Sequence, residues 1–492
     1  MKIALVIPRN SSDRSGSFYD YNFYSTFLLS KKYLSYLLAI PTLEALTPER
    51  HEIRIFDENI EAVDFNWGAD LAGITVRTMF ARRAYAISGN FRQHGVKTVL
   101  GGIHPSMCPD EALQHCDSVV VGEAEQVWDA VLNDAEAGQL KRIYKAEGFS
   151  DLKNSPVAAR SGLSMERYFS DVVQTTKGCP FSCEFCSVHA FDGQRIRSRS
   201  VEQVIGEIQE INSSPSTYKK KKAIFFADDN IIANKCFARE LFVALKECNI
   251  NWMCQASINI SQEEELLSLM RASGCGAIFI GFESLSQKNL SSMNKGVNKK
   301  FAFAEAIKKI QSHGILVHSS FIVGYDDDSQ ESFDELIRFV QKNNLLVPLL
   351  NILTPFPGTK LFKRFEKEQR ILHQDWDRYD TKHVVFSPAS MSPEELLAGY
   401  RRILREVYSF ESILKKLKHY WKIDFWQQSN SLDPVKLKYR LLFALRLSTL
   451  LFSFNLARSR FIIRILPRVF NRRVRISTLL TLMAYNDFAY SL

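Results

Sequence analysis

The sequence has few cysteines and no long uninterrupted apolar run, and both shortages exclude whole classes of protein. Nine cysteines in 492 residues are an odd and thinly spread set, which argues against a disulfide framework and for a reducing compartment. Apolar runs stay below the ~18–20 residues of a spanning helix, because Arg446, Arg458 and Arg464 interrupt the most apolar region. The start, MKIALVIPRNSSDRSG, lacks the features of a secretory signal. We therefore expect a cytoplasmic protein.

The net charge of +9 is concentrated near the C-terminus. Residues 411–492 contain 15 Lys and Arg against four Asp and Glu, a net +11, so the other 410 residues sum to −2. Basic and apolar residues alternate there with Trp and Phe, a pattern typical of a segment lying peripherally on the inner membrane surface. The alternative is a helical cap with a solvated basic face. Nucleic acid is disfavoured because no RNA-binding module accompanies the charge.

Short apolar, β-branched runs occur in two series, each interspersed with helix-length stretches, which indicates two sets of buried parallel strands. The first series predicts a Rossmann-like α/β domain over residues 1–140, followed by a linker at 141–168. The second has six β/α units and predicts a partial (β/α)6 barrel over 169–385. A helical, basic extension occupies 386–492. The fold class is therefore α/β, with ligands expected beyond the carboxyl ends of the strands.

The stretch KGCPFSCEFC places Cys179, Cys183 and Cys186 on one loop after the first strand of the barrel. A structural zinc site usually needs four ligands in two pairs. A second cysteine pair at such spacing is absent, and His189 is the one candidate for a fourth ligand. Three thiolates on one loop instead suit an iron–sulfur cluster with one iron open to an exogenous ligand.

This loop resembles the hallmark of the radical S-adenosylmethionine (SAM) superfamily, CxxxCxxC with an aromatic residue, here Phe185, before the last cysteine. The resemblance implies a 4Fe–4S cluster held by Cys179, Cys183 and Cys186, with SAM bound at the open iron. One electron, from an external donor of the flavodoxin or ferredoxin type, would cleave SAM to a 5′-deoxyadenosyl radical that abstracts hydrogen from an unactivated carbon.

Other strand ends of the barrel match positions at which the superfamily binds SAM. In FADDN, Asp228 and Asp229 would hold the SAM ammonium, although helix N-caps are the alternative. In GFES, Glu283 and Ser284 would contact the ribose, although a solvated turn would look the same. In FIVGY, Gly324 would let the adenine approach the backbone, although many strand-end turns also contain glycine.

The first domain resembles the cobalamin-binding domain that precedes the barrel in one large radical SAM subgroup. VLGGIHPS places Gly101 and Gly102 where the nucleotide tail of the corrin would pass the backbone. GITVRT places Arg77 and Thr78 near the lower face of the corrin. The DxHxxG motif, whose histidine would ligate cobalt, is missing from the loop PRNSSDRSG. Without it no histidine ligation is expected, and His104 is expected to be a turn or packing residue. A degenerate domain that only packs against the barrel is the alternative.

Residues 355–409, with DWDRYD and HVVFSPASMSPEEL, resemble the extension of subgroup members that act on hydrophobic substrates, hopanoid methylases among them. The resemblance implies a cobalamin-dependent C-methyltransferase acting on an isoprenoid or hopanoid, a tetrapyrrole or a natural-product scaffold. Alternatives are an oxidative cyclase or rearrangement enzyme that transfers no methyl group, and a non-catalytic cobalamin or iron–sulfur sensor. Methylthiolation is discounted because it needs three N-terminal cysteines, and only Cys108 and Cys116 are there.

Overall fold

Two six-stranded parallel sheets form the body of the protein. They are seen in a computed structural model that describes residues 1–9, 35–213, 223–423, 425, 445, 456–470 and 476–491. Each sheet is covered by helices and leaves the carboxyl ends of its strands at one edge, as expected when parallel strands are joined by crossover helices.

The first sheet has the strand order β2-β1-β3-β4-β5-β6. Its strands are β1 Lys2–Ile7, β2 Glu52–Asp57, β3 Leu71–Thr75, β4 Lys97–Gly101, β5 Ser118–Val121 and β6 Ile143–Lys145. The connecting helices are α1 Ala39–Leu46, α2 Ala81–Gln93, α3 Ile103–Met107, α4 Pro109–Ala112 and α5 Trp128–Glu136. The central strand β1 is inaccessible from Ile3 to Val6, which explains why its sequence is a continuous apolar run.

The segment that the sequence assigns to a linker, 141–168, contains structure of its own. Strand β6 lies within it and pairs in parallel with β5, so the first domain continues past residue 140. Further along, Arg160 connects the two domains: its guanidinium donates to the Tyr36 hydroxyl at 2.7 Å and to the Glu207 carboxylate. The linker is therefore packed against both domains.

The second sheet has the order β14-β13-β12-β11-β10-β7 and confirms the expected partial barrel. Its strands are β7 Asp171–Val173, β10 Ala223–Phe226, β11 Asn251–Gln255, β12 Cys275–Glu283, β13 Leu316–Val323 and β14 Leu349–Ile352. A small antiparallel pair, β8 Thr176–Lys177 and β9 Arg197–Ser198, brackets the cysteine loop. The helices are α6 Val188–Phe191, α7 Val201–Ser213, α8 Lys235–Leu245, α9 Glu264–Ala272, α10 Gln287–Ser292, α11 Phe303–Ser312 and α12 Gln330–Lys342.

Helices follow the last strand, as the sequence predicts. They are α13 Lys360–Lys367, α14 Pro393–Val407, α15 Phe410–Lys422, α16 Leu456–Phe470 and α17 Ile476–Ser491. A capping box between Ser392 and Glu395, with Pro393 as the first helical residue, fixes the start of α14. The buried faces of α16 and α17 join the core of the barrel. Within the described residues, no helix has the length and apolarity needed to span a bilayer.

The motif DWDRYD folds back onto the first domain. Trp376 and Tyr379 are buried in the core that lies between β3, β4 and α2. The Trp376 indole N–H donates to the Glu111 carboxylate at 2.7 Å, and the same oxygen accepts from the Tyr85 hydroxyl. His104 is fully buried beside them, with its ring bonded to Tyr85 and packed edge-on against Trp376. This environment agrees with a packing role for His104.

Candidate active site and cofactor cavity

The cysteine loop is held in place by contacts from several elements. Gly178 begins it at φ +91°, and a Cβ there would lie 2.6 Å from a backbone carbonyl oxygen, so glycine is required. The Glu184 N–H donates to the Met293 carbonyl and the Glu184 carbonyl accepts from Leu361 N–H. The Ser182 carbonyl accepts from the Asn294 amide at 3.0 Å. The loop therefore lies between the segment after α10 and the start of α13.

The Glu184 side chain adds an anchor. Its carboxylate accepts from Arg364 Nε at 2.7 Å and from the Tyr325 hydroxyl, and Arg364 also donates to Asp326 at 2.7 Å. A bidentate or shared guanidinium fixes orientation as well as charge. Glu184, the first residue after Cys183, is thus attached to the segment after β13 and to α13.

The charge of one lysine, Lys295, acts on all three cysteine thiols. Burial raises the pKa of Cys179, Cys183 and Cys186, and the Lys295 ammonium opposes it at each of them. Lys295 is itself buried, which lowers its pKa, but Glu283 and Cys183 outweigh that effect and the net pKa is raised. A permanent cation at this position favours the thiolates that iron requires.

Glu283 is placed by unusual backbone. It lies at the end of β12 with φ +66°, next to a register shift between Gly281 and Glu283. A Cβ on Gly281 would lie 2.1 Å from the Glu283 carboxylate oxygen, so glycine makes room for the carboxylate. Glu283 accepts from Lys295 Nζ at 3.1 Å. Strain at a left-handed glutamate is retained where the surroundings fix it, often at functional positions.

The two adjacent aspartates have different surroundings. The Asp228 carboxylate is inaccessible and accepts three hydrogen bonds of 2.7 Å, from the Thr175 N–H and hydroxyl and the Thr176 N–H. Burial nevertheless raises the pKa of Asp228 to about 6. Asp229 accepts from the Gly178 backbone, and burial, with the Asp192 and Asp228 carboxylates, raises the pKa of Asp229 to about 7. Asp229 therefore lies next to the cysteine loop, and Lys177 compensates its charge only in part.

Ser284 and Gly324 lie at the ends of neighbouring strands. The Ser284 hydroxyl accepts from the Ser286 N–H at 3.1 Å. Gly324 has φ +98°, and its N–H donates to Asp328 at 2.8 Å. A Cβ on Gly324 would lie 2.6 Å from Leu396, so the glycine permits α14 to approach the strand. The SAM contacts of both residues stay predictions.

A cavity of about 430 Å³ lies at the carboxyl edge of the first sheet and faces the barrel. Gly101, Gly102, Arg77 and Trp128 line it from the first domain. Val172, Gln174, Lys177, Asp192, Phe225 and Ala227 line it from the barrel side. The cavity is thus shared by the two sheets.

The two glycines of this cavity differ in what surrounds them. Gly101 has only the Val120 side chain within 4 Å of an added Cβ. Gly102 has φ +102° and its added Cβ would meet the Val76 carbonyl at 3.0 Å. Arg77 is the N-cap of the 3-10 helix Thr78–Phe80 and its carbonyl accepts from the Phe80 N–H, but its side chain has no hydrogen bond or ion pair with other described residues. Thr78 is buried behind it. Roles for Arg77 and Thr78 at a corrin remain predictions.

Similarity to known proteins identifies the family. The Radical SAM superfamily pattern matches residues 173–340, and the pattern of a domain of unknown function, DUF4070, matches 359–489. Over 368 residues the chain is 36% identical to bacteriochlorophyllide d C-12(1)-methyltransferase from Chlorobaculum tepidum, which covers 72% of this chain and 78% of that protein. The chain belongs to the radical SAM superfamily. It is an enzyme, as the sequence predicts, and its cofactors include a 4Fe–4S cluster and SAM.

More distant relatives share the arrangement of this radical SAM enzyme. Hopanoid C-2 methylase from Rhodopseudomonas palustris is 26% identical over 387 residues, covering 76% of this chain and 71% of that protein. The solved structure of the cobalamin-dependent SAM radical enzyme OxsB, with aqua-cobalamin and SAM bound, superposes with a TM-score of 0.65 at 14% identity and covers 100% of this chain and 83% of that one. At that identity the likeness shows the fold.

The donor set of this radical SAM enzyme fits the cluster. Cys179, Cys183 and Cys186 are free thiols on one loop, and each of them has Lys295 close enough to lower its pKa. Three thiolates leave one iron for SAM. The sequence missed Lys295, whose position 109 residues after Cys186 carries no local signal.

The interior of the barrel contains a second residue that sequence reasoning missed. His318 on β13 packs edge-on against Phe279 of β12, with 4.7 Å between ring centroids, and Phe279 in turn contacts Phe225 of β10. Burial lowers the pKa of His318 to about 4, so the imidazole is neutral at pH 7. Polar residues two positions apart in β13, His318 and Ser320, are the sequence signal that could have placed His318 on one face of the strand.

Buried ion pairs join the two domains beside the cavity. Glu123, at the end of β5, accepts from Arg197 at 2.7 Å and lies 3.7 Å from Lys177 Nζ. Lys177 also donates to Glu125 at 2.8 Å. Only about 1% of the Glu123 side chain is exposed. These contacts hold the first sheet against the β8–β9 pair, and therefore against the cysteine loop.

Proposed function

We propose that this enzyme transfers a methyl group from SAM, by way of cobalamin, to an unactivated carbon of a tetrapyrrole. The observation that carries the proposal is the 36% identity to a bacteriochlorophyllide d methyltransferase over most of both chains. Among the hydrophobic substrates that the sequence suggests, a tetrapyrrole is favoured over a hopanoid because the hopanoid methylase is less similar, at 26% identity.

The shape of the cavity supports cobalamin as the methyl carrier. Its walls include the glycines Gly101 and Gly102, and such residues allow a bulky cofactor to approach the backbone. The cavity lies outside the carboxyl ends of parallel strands, where open α/β sheets bind ligands. Cobalamin, when bound, carries the methyl group, and the cluster supplies one electron to SAM.

The cavity adjoins the interior of the barrel. Such an arrangement suits a reaction that uses SAM and cobalamin in succession on one substrate. Phe225 lines the cavity and contacts Phe279, which lies beside His318 in the interior. Aromatic rings and a neutral imidazole suit a flat, conjugated substrate better than a charged one. We assign the substrate to this space, between the cysteine loop and the cavity.

Specific side chains would position SAM there. Asp229, which has no full countercharge, would accept the SAM ammonium. The Glu283 carboxylate and Ser284 would contact the ribose, and the backbone at Gly324 the adenine. Asp228 would act on SAM less directly, since Thr175 and Thr176 already occupy both of its oxygens. Their task is to orient SAM so that the radical forms next to the substrate carbon.

The test begins with anaerobic purification in the presence of cobalamin, followed by iron and cobalt analysis. We expect about four irons and stoichiometric cobalt per chain. Bacteriochlorophyllide d is then incubated with dithionite and SAM labelled in its methyl group, and the product is analysed by mass spectrometry. Transfer of the label supports the proposal. SAM cleavage with a product that lacks the label would overturn methyl transfer and favour an oxidative cyclase or rearrangement. Label in a hopanoid but not in the tetrapyrrole would overturn the proposed substrate class.

We further propose peripheral membrane contact through α16, which suits an apolar substrate. Leu456 and Ile463 are 75% and 62% exposed, and Arg460 and Arg464 share that exposed side. Apolar side chains flanked by arginine are typical of interfacial helices. The stretches 426–444, 446–455 and 471–475 of the basic tail lie outside the described residues. Co-sedimentation with anionic vesicles is expected to fall for Leu456→Ser/Ile463→Ser; unchanged binding would reject this surface.

A further inference from the structure

We propose that a patch of lysines over the cysteine loop is the docking site of an acidic one-electron carrier protein. The patch, called the lysine rim here, consists of Lys299, Lys300, Lys360 and Lys363. The inference rests on the reductive chemistry of the proposed function and adds the surface on which the electron donor docks.

The lysine rim lies on the two segments that clasp the cysteine loop from outside. Lys360, the first residue of α13, donates to the Ser182 hydroxyl at 2.5 Å, one residue before Cys183. On the other side, Asn294 donates to the Ser182 carbonyl. Lys299 and Lys300 follow Asn294 in the 3-10 helix Asn298–Lys300. A protein that covers Ser182 would therefore contact both segments.

The two stretches that flank the loop are basic. Residues 287–300 contain four lysines and no acidic residue, and residues 355–365 contain two lysines, one arginine and no acidic residue. The carboxylate of the loop itself, Glu184, is paired with Arg364. Lys295 points inward to Glu283, and Lys288 is paired with Asp327.

The four rim lysines remain available to a partner. All four are exposed, and none forms an ion pair in the part of the chain that the structure describes. Lys299 donates to the Ser291 hydroxyl and Lys360 to Ser182, both neutral groups that leave the ammonium charge uncompensated. Exposed charge of one sign steers an oppositely charged partner and raises its association rate.

Electron balance requires such a partner. Reductive cleavage of one SAM consumes one electron from the cluster, so an external carrier must be oxidised by one electron each time it reduces the cluster again. No proton or other group moves in that step. Ser182 adjoins the ligand Cys183, so a carrier docked on the lysine rim is separated from the cluster by little more than the loop itself. Flavodoxins and ferredoxins are carriers of this kind.

The test uses the full chain with its cluster and a flavodoxin as the probe. The variant Lys299→Glu/Lys300→Glu/Lys363→Glu reverses three rim charges and spares Lys360, which contacts the loop. Its matched control, Lys246→Glu/Lys308→Glu/Lys342→Glu, reverses three exposed lysines on or next to outer helices. Titration calorimetry gives the Kd for flavodoxin at low and high salt. Stopped-flow absorbance gives the rate of cluster reduction by flavodoxin hydroquinone and, separately, by dithionite.

We expect the rim variant to raise the Kd roughly tenfold or more at low salt, with a smaller difference at high salt. Its reduction by flavodoxin should slow in proportion, while dithionite reduces it at the wild-type rate. Equal Kd values for the rim and control variants would overturn the proposal, as would failure of both flavodoxin and a ferredoxin to bind the unchanged chain. Both readouts are independent of methyl transfer, so a failed methylation assay leaves this result intact.

Discussion

The cysteine loop is held by polar contacts from three elements, whereas the cavity at the first sheet is formed mainly by glycines and apolar side chains. Glu184 and Ser182 fix the position of the loop, and Lys295 adds a positive charge near its thiols. The cavity has Gly101 in its wall, where an added Cβ would meet only Val120 within 4 Å. Coordination needs specific atoms, and a cofactor held by shape needs space.

Loss of one thiolate should give the largest effect, since coordination depends on individual atoms. We expect Cys183→Ala to abolish cluster assembly and SAM cleavage together, measured as iron content and as 5′-deoxyadenosine formed with dithionite. Cys236→Ala, which removes an exposed cysteine from α8, is the control and should retain both. An active Cys183→Ala protein would refute the ligand assignment.

Filling the cavity should weaken cobalamin binding and leave the cluster site unaffected. A side chain at Gly101 meets only Val120 nearby, so Gly101→Leu adds volume to the cavity without backbone strain. We expect at least a tenfold weaker affinity for hydroxocobalamin, measured by absorbance after gel filtration, with unchanged iron content. Gly89→Ala, where an added Cβ touches nothing within 4 Å, is the control. Equal cobalt content in Gly101→Leu and the unchanged chain would show that cobalamin, if bound, lies elsewhere.

Breaking the ion pair between the domains should have an intermediate effect on stability. Glu123→Gln leaves Arg197 and Lys177 facing a neutral amide in a buried junction, which we expect to cost about 3 kcal/mol. The first transition in urea unfolding measures it. Glu125→Gln, whose carboxylate is 22% exposed, should cost under about 1 kcal/mol. Similar costs for the two variants would mean that burial does not decide the strength of this junction.

The smallest expected effect concerns His318 and pH. Its pKa is lowered by burial from the ordinary 6.5 to about 4, so the folded state binds fewer protons than the unfolded state between those values. Stability is therefore expected to fall as pH drops from about 6.5 to 4. Over that range the free energy of unfolding of His318→Gln should fall by on the order of 1–2 kcal/mol less than that of the unchanged chain. Parallel melting temperatures of the two proteins from pH 7 to 4.5 would contradict a buried neutral imidazole.

Local pattern was enough for the strands and the cysteine loop. The strands predicted for the first domain and the six predicted for the barrel are all present, because strands covered on both faces are rich in apolar residues. Strand β6 was missed since, of its three residues, only Tyr144 is buried. Its sequence has no apolar run, and pairing with β5 holds it in the sheet.

Predictions at the strand ends were less complete. Asp228 and Asp229 are adjacent in sequence, yet Asp228 is bonded to Thr175 and Thr176 while Asp229 lies next to the loop. Nothing in FADDN distinguishes them. Glu283 was predicted to lie at a ligand site, but its partner Lys295 and the room made by Gly281 depend on how the strand bends.

The sequence by itself located the strands and placed three cysteines on one loop, because largely buried strands are rich in apolar residues and the three cysteines stand at short spacings. Only the tertiary structure decided the charge beside the thiols, the shared cavity and the contact of Trp376 with Glu111, 265 positions apart. Such contacts arise when distant segments pack together. Their energy depends on burial and distance, and no local run of residues encodes either.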